Sequence, residues 1–548
     1  MEYLKQLIPL KIKRKLKFHL NEFSYRVQTK SFKSVIINRG IIKNGLTVLR
    51  SGHRSQLFAV EDSFSLNEIR VRSHEKIQEI IKNTDLISWN LPSRMSGPNI
   101  ISILAADRDS LWSILSSHDQ LNHWYAAGVD NQGRMMSGAK LVADFQLTSD
   151  MHAVRLFERV AFQGNLSFRA GALQGVEIRF WEEAYDPQTE KMILRCPVWH
   201  EYVAELPSFN NSPIQFMNEV SKLSRENVSQ FRGKIDIVYT WVDGSDPSWI
   251  RRKTKVENET STSQQSNEAN NSARFKDNDE LRFSLRSIYQ YAPWVNSIFI
   301  VTDRQRPDWL VTDERVKIVD HQEIWPDKSG LPTFNSHAIE SCIHRIPGLS
   351  EYFLYFNDDV MLTRSIDPEL FFYPSGISKV FWSKAKIDSQ LANPLDNAST
   401  IAAKNAREAI TARGHLSFSR KFYHTPAALR KSVCEEIETE FSTLSTQTRH
   451  AQFRSVNDVA LAGSFYFNYG LSTGNCVPGS IRYDYIDPST ENGRLRMQRL
   501  LSRRNLDCIV INDGASIELD YDEESSSAFI KTNLQYLLPI PSPWERER

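Results

Sequence analysis

The hydrophobic and polar positions of this chain change rhythm twice. In residues 1–34, Leu4, Ile8, Ile12 and Leu16 recur every four residues beside Lys5, Lys11, Lys13, Arg14, Lys15 and Lys17. That spacing predicts a helix with one apolar and one cationic face. Two readings stay open for it: a helix lying on an anionic membrane surface, and a helix packed on its own domain. Residues 35–230 are mixed and strand-rich. Runs such as Val154–Val160 and Gly175–Trp181 alternate apolar with polar, the period of a strand. They predict an accessory α+β domain without a chemical signature.

From residue 234 the rhythm changes again. Ile235–Val242 is nearly continuous, apolar and β-branched, the pattern of a strand buried on both faces of a parallel sheet. Ser297–Asp303, Val316–Asp320 and Tyr352–Phe356 predict further strands, with helices from Asp279 and over Ser336–Ile346. Strand, helix, strand, strand, helix, strand implies a mostly parallel α/β sheet over 234–548. Residues from about 253 to 273 are polar and nearly free of large apolar side chains, so a mobile loop is expected there. Ligands of such sheets bind beyond the carboxyl ends of the strands. Asp243, Asp303 and Asn357-Asp358-Asp359 all fall at that edge.

Composition narrows the function classes. The 548 residues are 41% hydrophobic and 24% charged, with a formal net charge of +1. That supports a full core and argues against a strongly basic nucleic-acid binder. No run of about 18 apolar residues is present, so no spanning helix is expected. The five cysteines are widely spaced without a CxxC pair. Neither a disulfide framework nor a structural zinc site is supported, and a cytoplasmic setting is expected.

Candidate chemistry gathers at the strand ends. Paired carboxylates such as Asp358 and Asp359 can hold a hard divalent cation through oxygen. Asp243 suits a nucleotide-facing role or an Asx turn before Gly244. Arg282 and Arg286, four apart on one helical face, suit a pyrophosphate clamp or a solvated face. His337 and Glu340 share a face of the helix that starts at Asn335-Ser336. A zinc site built from them and His344 lacks both a fourth ligand and HExxH spacing. His424-Thr-Pro426 and Arg454–Asp458 add a further imidazole, a guanidinium and a carboxylate.

Longer strings carry a resemblance. Asp236–Asp246, Arg274–Ile288, Ile300–Trp309, Asn335–Glu340, Tyr355–Val360, His424–Pro426, Arg454–Asp458, Asn512–Gly514 and Pro539–Glu545 resemble, in order, the signature blocks of the Stealth family. The resemblance spans about residues 234–546 and implies a nucleotide-sugar-binding, GT-A-like fold. Its members include bacterial capsular and exopolysaccharide phosphotransferases and the catalytic subunit that begins the animal mannose-6-phosphate tag. It implies transfer of a sugar 1-phosphate from a nucleotide sugar to a hydroxyl of an oligosaccharide or polysaccharide, with release of a nucleoside monophosphate. By the same matching, Asp358 and Asp359 would hold Mg²⁺ or Mn²⁺, and Asp243 would lie near the donor. Asn335, Asn357, Asp458, Arg282 and Arg286 would contact substrate. His424 would be the base with His337 as substitute, and Arg454 would stabilise phosphoryl oxygens. This chain carries Asn457 where the animal relative has Glu. An ordinary glycosyltransferase releasing a nucleoside diphosphate and a non-catalytic glycan-binding scaffold are the alternatives.

Overall fold

The computed structural model of the protein describes residues 45–51, 54–136, 138–200, 203–210, 212–223, 229–259, 277–512 and 523–546. The basic segment 1–34 lies outside the described residues. The chain divides into two compact units, Met1–Asn227 and Val228–Arg548.

The first unit is built on an eight-stranded sheet. Its longest strand, Val176–Asp186, pairs antiparallel with Ala153–Phe157 and parallel with Asn99–Leu104. A helix over Leu66–Lys82 starts at a reciprocal cap between Ser65 and Glu68 and lays Ile77, Ile80 and Ile81 into the core. The polar positions of the alternating runs do not all meet water. Arg155 Nη2 donates to Glu177 Oε2 at 2.5 Å and Arg179 Nε donates to Glu177 Oε1 at 2.8 Å, all three residues being buried. Burial in mutual ion pairs keeps these charges satisfied.

The second unit carries the candidate chemistry. Strands β1 (Ile235–Thr240), β2 (Ile298–Thr302), β3 (Val316–Asp320), β4 (Tyr352–Asn357) and β5 (Ala427–Arg430) form one sheet in the order β3-β2-β1-β4-β5. The first four in that order run parallel, and β5 runs antiparallel to β4. The chain steps outward from β1 to β3 and returns on the other side of β1 as β4. The crevice between the carboxyl ends of β1 and β4 is therefore the topological switch point, where open α/β sheets bind ligands. Thr240 and Asn357 face each other in register at that place. At the opposite end the buried Asp236 carboxylate accepts from Asn296 Nδ2 (2.7 Å), Ser297 N (3.0 Å) and Ser350 N (2.7 Å), tying β1 to the residues that precede β2 and β4.

Part of the expected loop is helical. Helix α1 (Pro247–Glu259) includes residues 253–259, and the rest of 253–273 lies outside the described residues. Pro247 opens the helix, where its missing N–H is no loss, and Asp246 caps it by accepting from Ser248 N at 2.8 Å. Trp249 and Val256, seven apart, bury one face. The polar residues of this stretch mask that spacing. Helix α2 (Glu280–Tyr291) follows, then α3 (Ser336–Glu340). The helix expected over Ser336–Ile346 breaks after α3 into a turn and a short 3₁₀ segment, Ile343–Arg345. Among the described residues no helix is long and apolar enough to cross a membrane.

Candidate active site

Asp358 and Asp359 form the turn between β4 and the short strand Val360–Leu362. That strand pairs with Cys508–Ile511, which brings Asn512 onto the turn. Asn512 Nδ2 donates to Asp359 Oδ2 at 2.9 Å, and Ile511 N donates to Asp359 O at 3.1 Å. The other carboxylate oxygen, Oδ1, is buried and has no hydrogen-bond partner. It lies 3.5 Å from His424 Nε2, and Asn357 Nδ2 lies 3.0 Å from the same nitrogen. The His424 side chain is 44% exposed, so a ligand in the crevice can reach it. Partial desolvation lowers the proton affinity of the imidazole. The neighbouring Asp359 carboxylate and then Glu340 outweigh it, and the pKa ends above the ordinary value.

A ring of acids surrounds this turn. Asp358 is pushed well above the usual carboxylate range, first by burial and then by the charges of Asp359, Glu280 and Asp277. Burial also drives Glu280 up to about 7, against hydrogen bonds from Asn278, and raises Asp277, which feels Asp279 and Asp243. Like charges crowded under little solvent favour the protonated forms. Among the described residues no three His, Cys, Asp or Glu side chains converge as a preformed metal cluster. The orphaned Asp359 Oδ1 and the raised acids beside it nevertheless fit a divalent cation, which would supply the missing positive charge.

A second cluster lies deeper. His337 Nδ1 is 3.6 Å from Asp458 Oδ2, and both side chains are buried. Arg454 Nη2 donates to Ser336 Oγ at 3.1 Å. Burial raises Glu340 above the usual range, although the charges of His337 and Arg454 pull it down. Tyr355 OH reaches Glu340 Oε1 at 3.4 Å and Thr240 Oγ1 at 2.9 Å. Glu340 thus links the Arg454 cluster to β1 and β4, and its charge is felt at His424.

Several expected contacts are different in the fold. Arg286 is engaged within the fold. Its Nε and Nη2 donate to Glu545 Oε1 (2.8 Å) and Oε2 (2.7 Å), and Nη1 donates to Gln535 Oε1 and Leu538 O. Arg282 pairs with Asp279 at 3.3 Å and lies over the Trp309 ring at 4.9 Å. Asn335 is fully buried and acts as an N-cap, Oδ1 accepting from His337 N and Nδ2 donating to Asp458 Oδ2 at 2.8 Å. It orders the Asp458 side chain and is closed to substrate. Asp243 Oδ1 accepts from Ser245 N and Oγ, the Asx-turn geometry, while Gln305 holds its backbone from both sides. Asp303 is occupied by Arg252 at 2.9 Å. His344 pairs with Glu438 at 2.8 Å and contributes to no zinc site. The residues around the turn that the sequence did not single out as candidates are Asp277, Glu280, Gln305 and Asn512. Each stands in or beside a string that carried the resemblance, and that proximity was the available signal.

Comparison with known proteins assigns the family. Conserved regions 1, 2 and 3 of Stealth proteins match residues 233–261, 274–380 and 423–470. The exopolysaccharide phosphotransferase CpsY of Mycobacterium leprae is 31% identical over 511 residues, covering 91% of this chain and 91% of its own. The chain belongs to the Stealth family. An exopolysaccharide phosphotransferase of Streptomyces coelicolor is 42% identical over 317 residues, 58% of this Stealth chain and 53% of the relative. The chain spans about half the length of the Streptomyces relatives it matches. Among solved structures, a galactosyltransferase LgtC in complex with donor and acceptor sugar analogues aligns at 11% identity and a TM-score of 0.28, over 56% of this chain and 98% of its own. Mouse xyloside xylosyltransferase 1 aligns at 9% and 0.26, over 52% and 100%. The fold assignment of this Stealth protein rests on its own sheet order.

Proposed function

We propose that this Stealth protein transfers a sugar 1-phosphate from a nucleotide sugar to a glycan hydroxyl in exopolysaccharide synthesis. The observation that carries the reading is the unpartnered Asp359 Oδ1 at the β1/β4 switch point, 3.5 Å from a partly exposed His424. On this reading a cation-binding carboxylate and a proton acceptor stand side by side at the edge where such sheets bind ligands.

His424 accepts the proton of the acceptor hydroxyl. The freed oxygen forms a bond to the β-phosphorus of the donor. The bond from that phosphorus to the bridging oxygen breaks, and its electron pair leaves on the nucleoside monophosphate. Phosphoryl-type transfer depends on alignment and charge neutralisation more than on covalent help. Arg454 supplies positive charge for the equatorial oxygens, and Asp458 and Asn335 hold its loop. Asp358 and Asp359 are the residues that would hold Mg²⁺ or Mn²⁺, which when bound neutralises charge on the departing phosphate. Asp243 borders the donor on the β1 side. His337 is only 8% exposed, so the base role falls to His424.

Phosphorus NMR of products formed from a panel of nucleotide sugars and an oligosaccharide acceptor tests the reading. A nucleoside monophosphate and a phosphodiester resonance are the expected result. A nucleoside diphosphate in their place overturns it in favour of glycosyl transfer.

The CpsY relatives are named exopolysaccharide phosphotransferases and match this chain over nearly their whole length. Those names support the phosphotransfer reading over glycosyl transfer, and the intact carboxylates, His424 and Arg454 favour it over a scaffold role.

A further inference from the structure

The sheet order gives the crevice two sides. Across the rim come β1 with Asp243, β4 with Asn357 to Asp359, and then the approach to β5 with His424. On the phosphotransfer reading, on which this inference rests, the donor spans the β1/β4 switch point. The attacking hydroxyl must then enter from the side of its base, opposite the leaving group. The acceptor sugar therefore lies on the β5 side of Asp359.

Two tyrosines stand there. Tyr423 immediately precedes His424, and its backbone N is fixed to Phe381 O at 2.9 Å. Tyr483 opens the strand Tyr483–Ile486, which runs parallel to Cys508–Ile511 with Tyr483 opposite Cys508 and Ile486 opposite Ile511. The two rings meet at a centroid distance of 4.9 Å with a 39° tilt. Both residues are partly exposed. Burial raises the Tyr483 phenol above its ordinary pKa, and Cys508 and then the Asp359 charge add to that shift. Aromatic faces next to a polar rim suit a ligand with both C–H faces and hydroxyls, which describes a pyranose ring.

We propose that Tyr423 and Tyr483 form the acceptor-sugar subsite, a pyranose packing its C–H face on the ring pair while its hydroxyl is presented to His424. These residues decide acceptor binding and leave the donor crevice untouched.

Saturation-transfer NMR on the full chain, irradiating aromatic protons, uses methyl hexopyranosides and methyl N-acetylhexosaminides as probes. Transfer to sugar ring protons is expected in the wild type and in Tyr423→Phe and Tyr483→Phe. It is expected to vanish in Tyr423→Ala and Tyr483→Ala, with the leucine variants of both positions behaving like alanine where alanine fails to fold. In steady-state kinetics the alanine variants should raise the acceptor KM at least about fivefold, the scale of one aromatic contact. The nucleotide-sugar KM should stay within about twofold of wild type, on the same scale. No transfer to any probe, unchanged transfer in the alanine and leucine variants, or an equal rise in donor KM overturns the proposal. A nucleoside diphosphate by-product with tyrosine-dependent sugar binding intact would overturn the phosphotransfer reading and leave the subsite standing.

Discussion

Two regions of the second unit are assembled from distant stretches of chain, and they use charge in opposite ways. Near the C-terminus, Arg286 of α2 is closed over by Glu545, Gln535 and the Leu538 carbonyl. Trp544 is buried beside it and donates to Asp313 at 3.1 Å, with Arg315 over its ring. Arg286 Nε, Nη1 and Nη2 each donate to an oxygen, as a structural latch requires. At the rim of the sheet, Asp358, Asp359, Glu280 and Asp277 act on one another with only the His424 imidazole, 3.5 Å from Asp359 Oδ1, to offset them, and that oxygen has no hydrogen-bond partner among the described residues. A satisfied ion pair holds a fold. An unsatisfied cluster of one sign is tolerated where a ligand completes it.

Breaking the latch should produce the largest effect, and it should be an effect on stability. Glu545→Ala leaves the Arg286 guanidinium buried without its carboxylate, and such a loss costs about 3–5 kcal/mol. Urea unfolding should show the midpoint falling, while turnover per folded molecule stays near wild type. Equal losses of turnover and stability would merge the two regions into one.

The rim should behave the other way. Asp359→Asn is expected to lower turnover by about 10²–10³-fold, the scale of removing a key electrostatic group. The thermal midpoint should hold or rise, because a charge that repels Asp358 has gone. A variant with wild-type turnover would remove Asp359 from the site.

The β1/β4 edge was legible in the sequence and the Arg286 latch was not, for physical reasons. Strands β1 and β4 are nearly continuous apolar runs that end in acids, so both the sheet and its chemical edge could be read from one-dimensional pattern. Arg286 was an arginine on a helix face in either case. Only the approach of Glu545, 259 residues away in the chain, turns it into a latch, and nothing local announces that. Asn335 was likewise visible as a helix start, but its role in ordering Asp458, 123 residues on, is a tertiary fact. Helix α1 was hidden because its polar residues outnumber Trp249 and Val256.

The rim's crowding should also be visible as pH dependence. Glu280 is held at about 7 in the fold by burial, against an ordinary 4.5. The folded state therefore binds more protons than the unfolded state between those values, and stability falls as pH rises through that window. Above about 7 both states are ionised and the penalty is constant, on the order of 3 kcal/mol at about 1.4 kcal/mol per pKa unit. Glu280→Gln should flatten this slope between pH 4.5 and 7, raising the thermal midpoint at pH 8 and leaving it nearly unchanged at pH 4.5. A slope identical to wild type would show that Glu280 is not under strain.

The smallest effect separates position from charge. Asn405 lies on the helix Ala398–Ala412, and its Nδ2 donates to Val456 O and Asp458 O, both at 2.9 Å. These bonds fix the backbone that carries Arg454 and Asp458, yet Asn405 has no charge to offer a substrate. Asn405→Ala removes two neutral, partly buried bonds, about 1 kcal/mol of stability. Because a loosened Arg454 loop misplaces charge in the transition state rather than in the bound ground state, kcat should fall several-fold while the donor KM barely moves. Asn405→Asp repels the same carbonyls and should do worse than alanine. If donor KM rose with kcat intact, the loop would be a binding element, and the division between a rim that reacts and a frame that only holds it would fail at this residue.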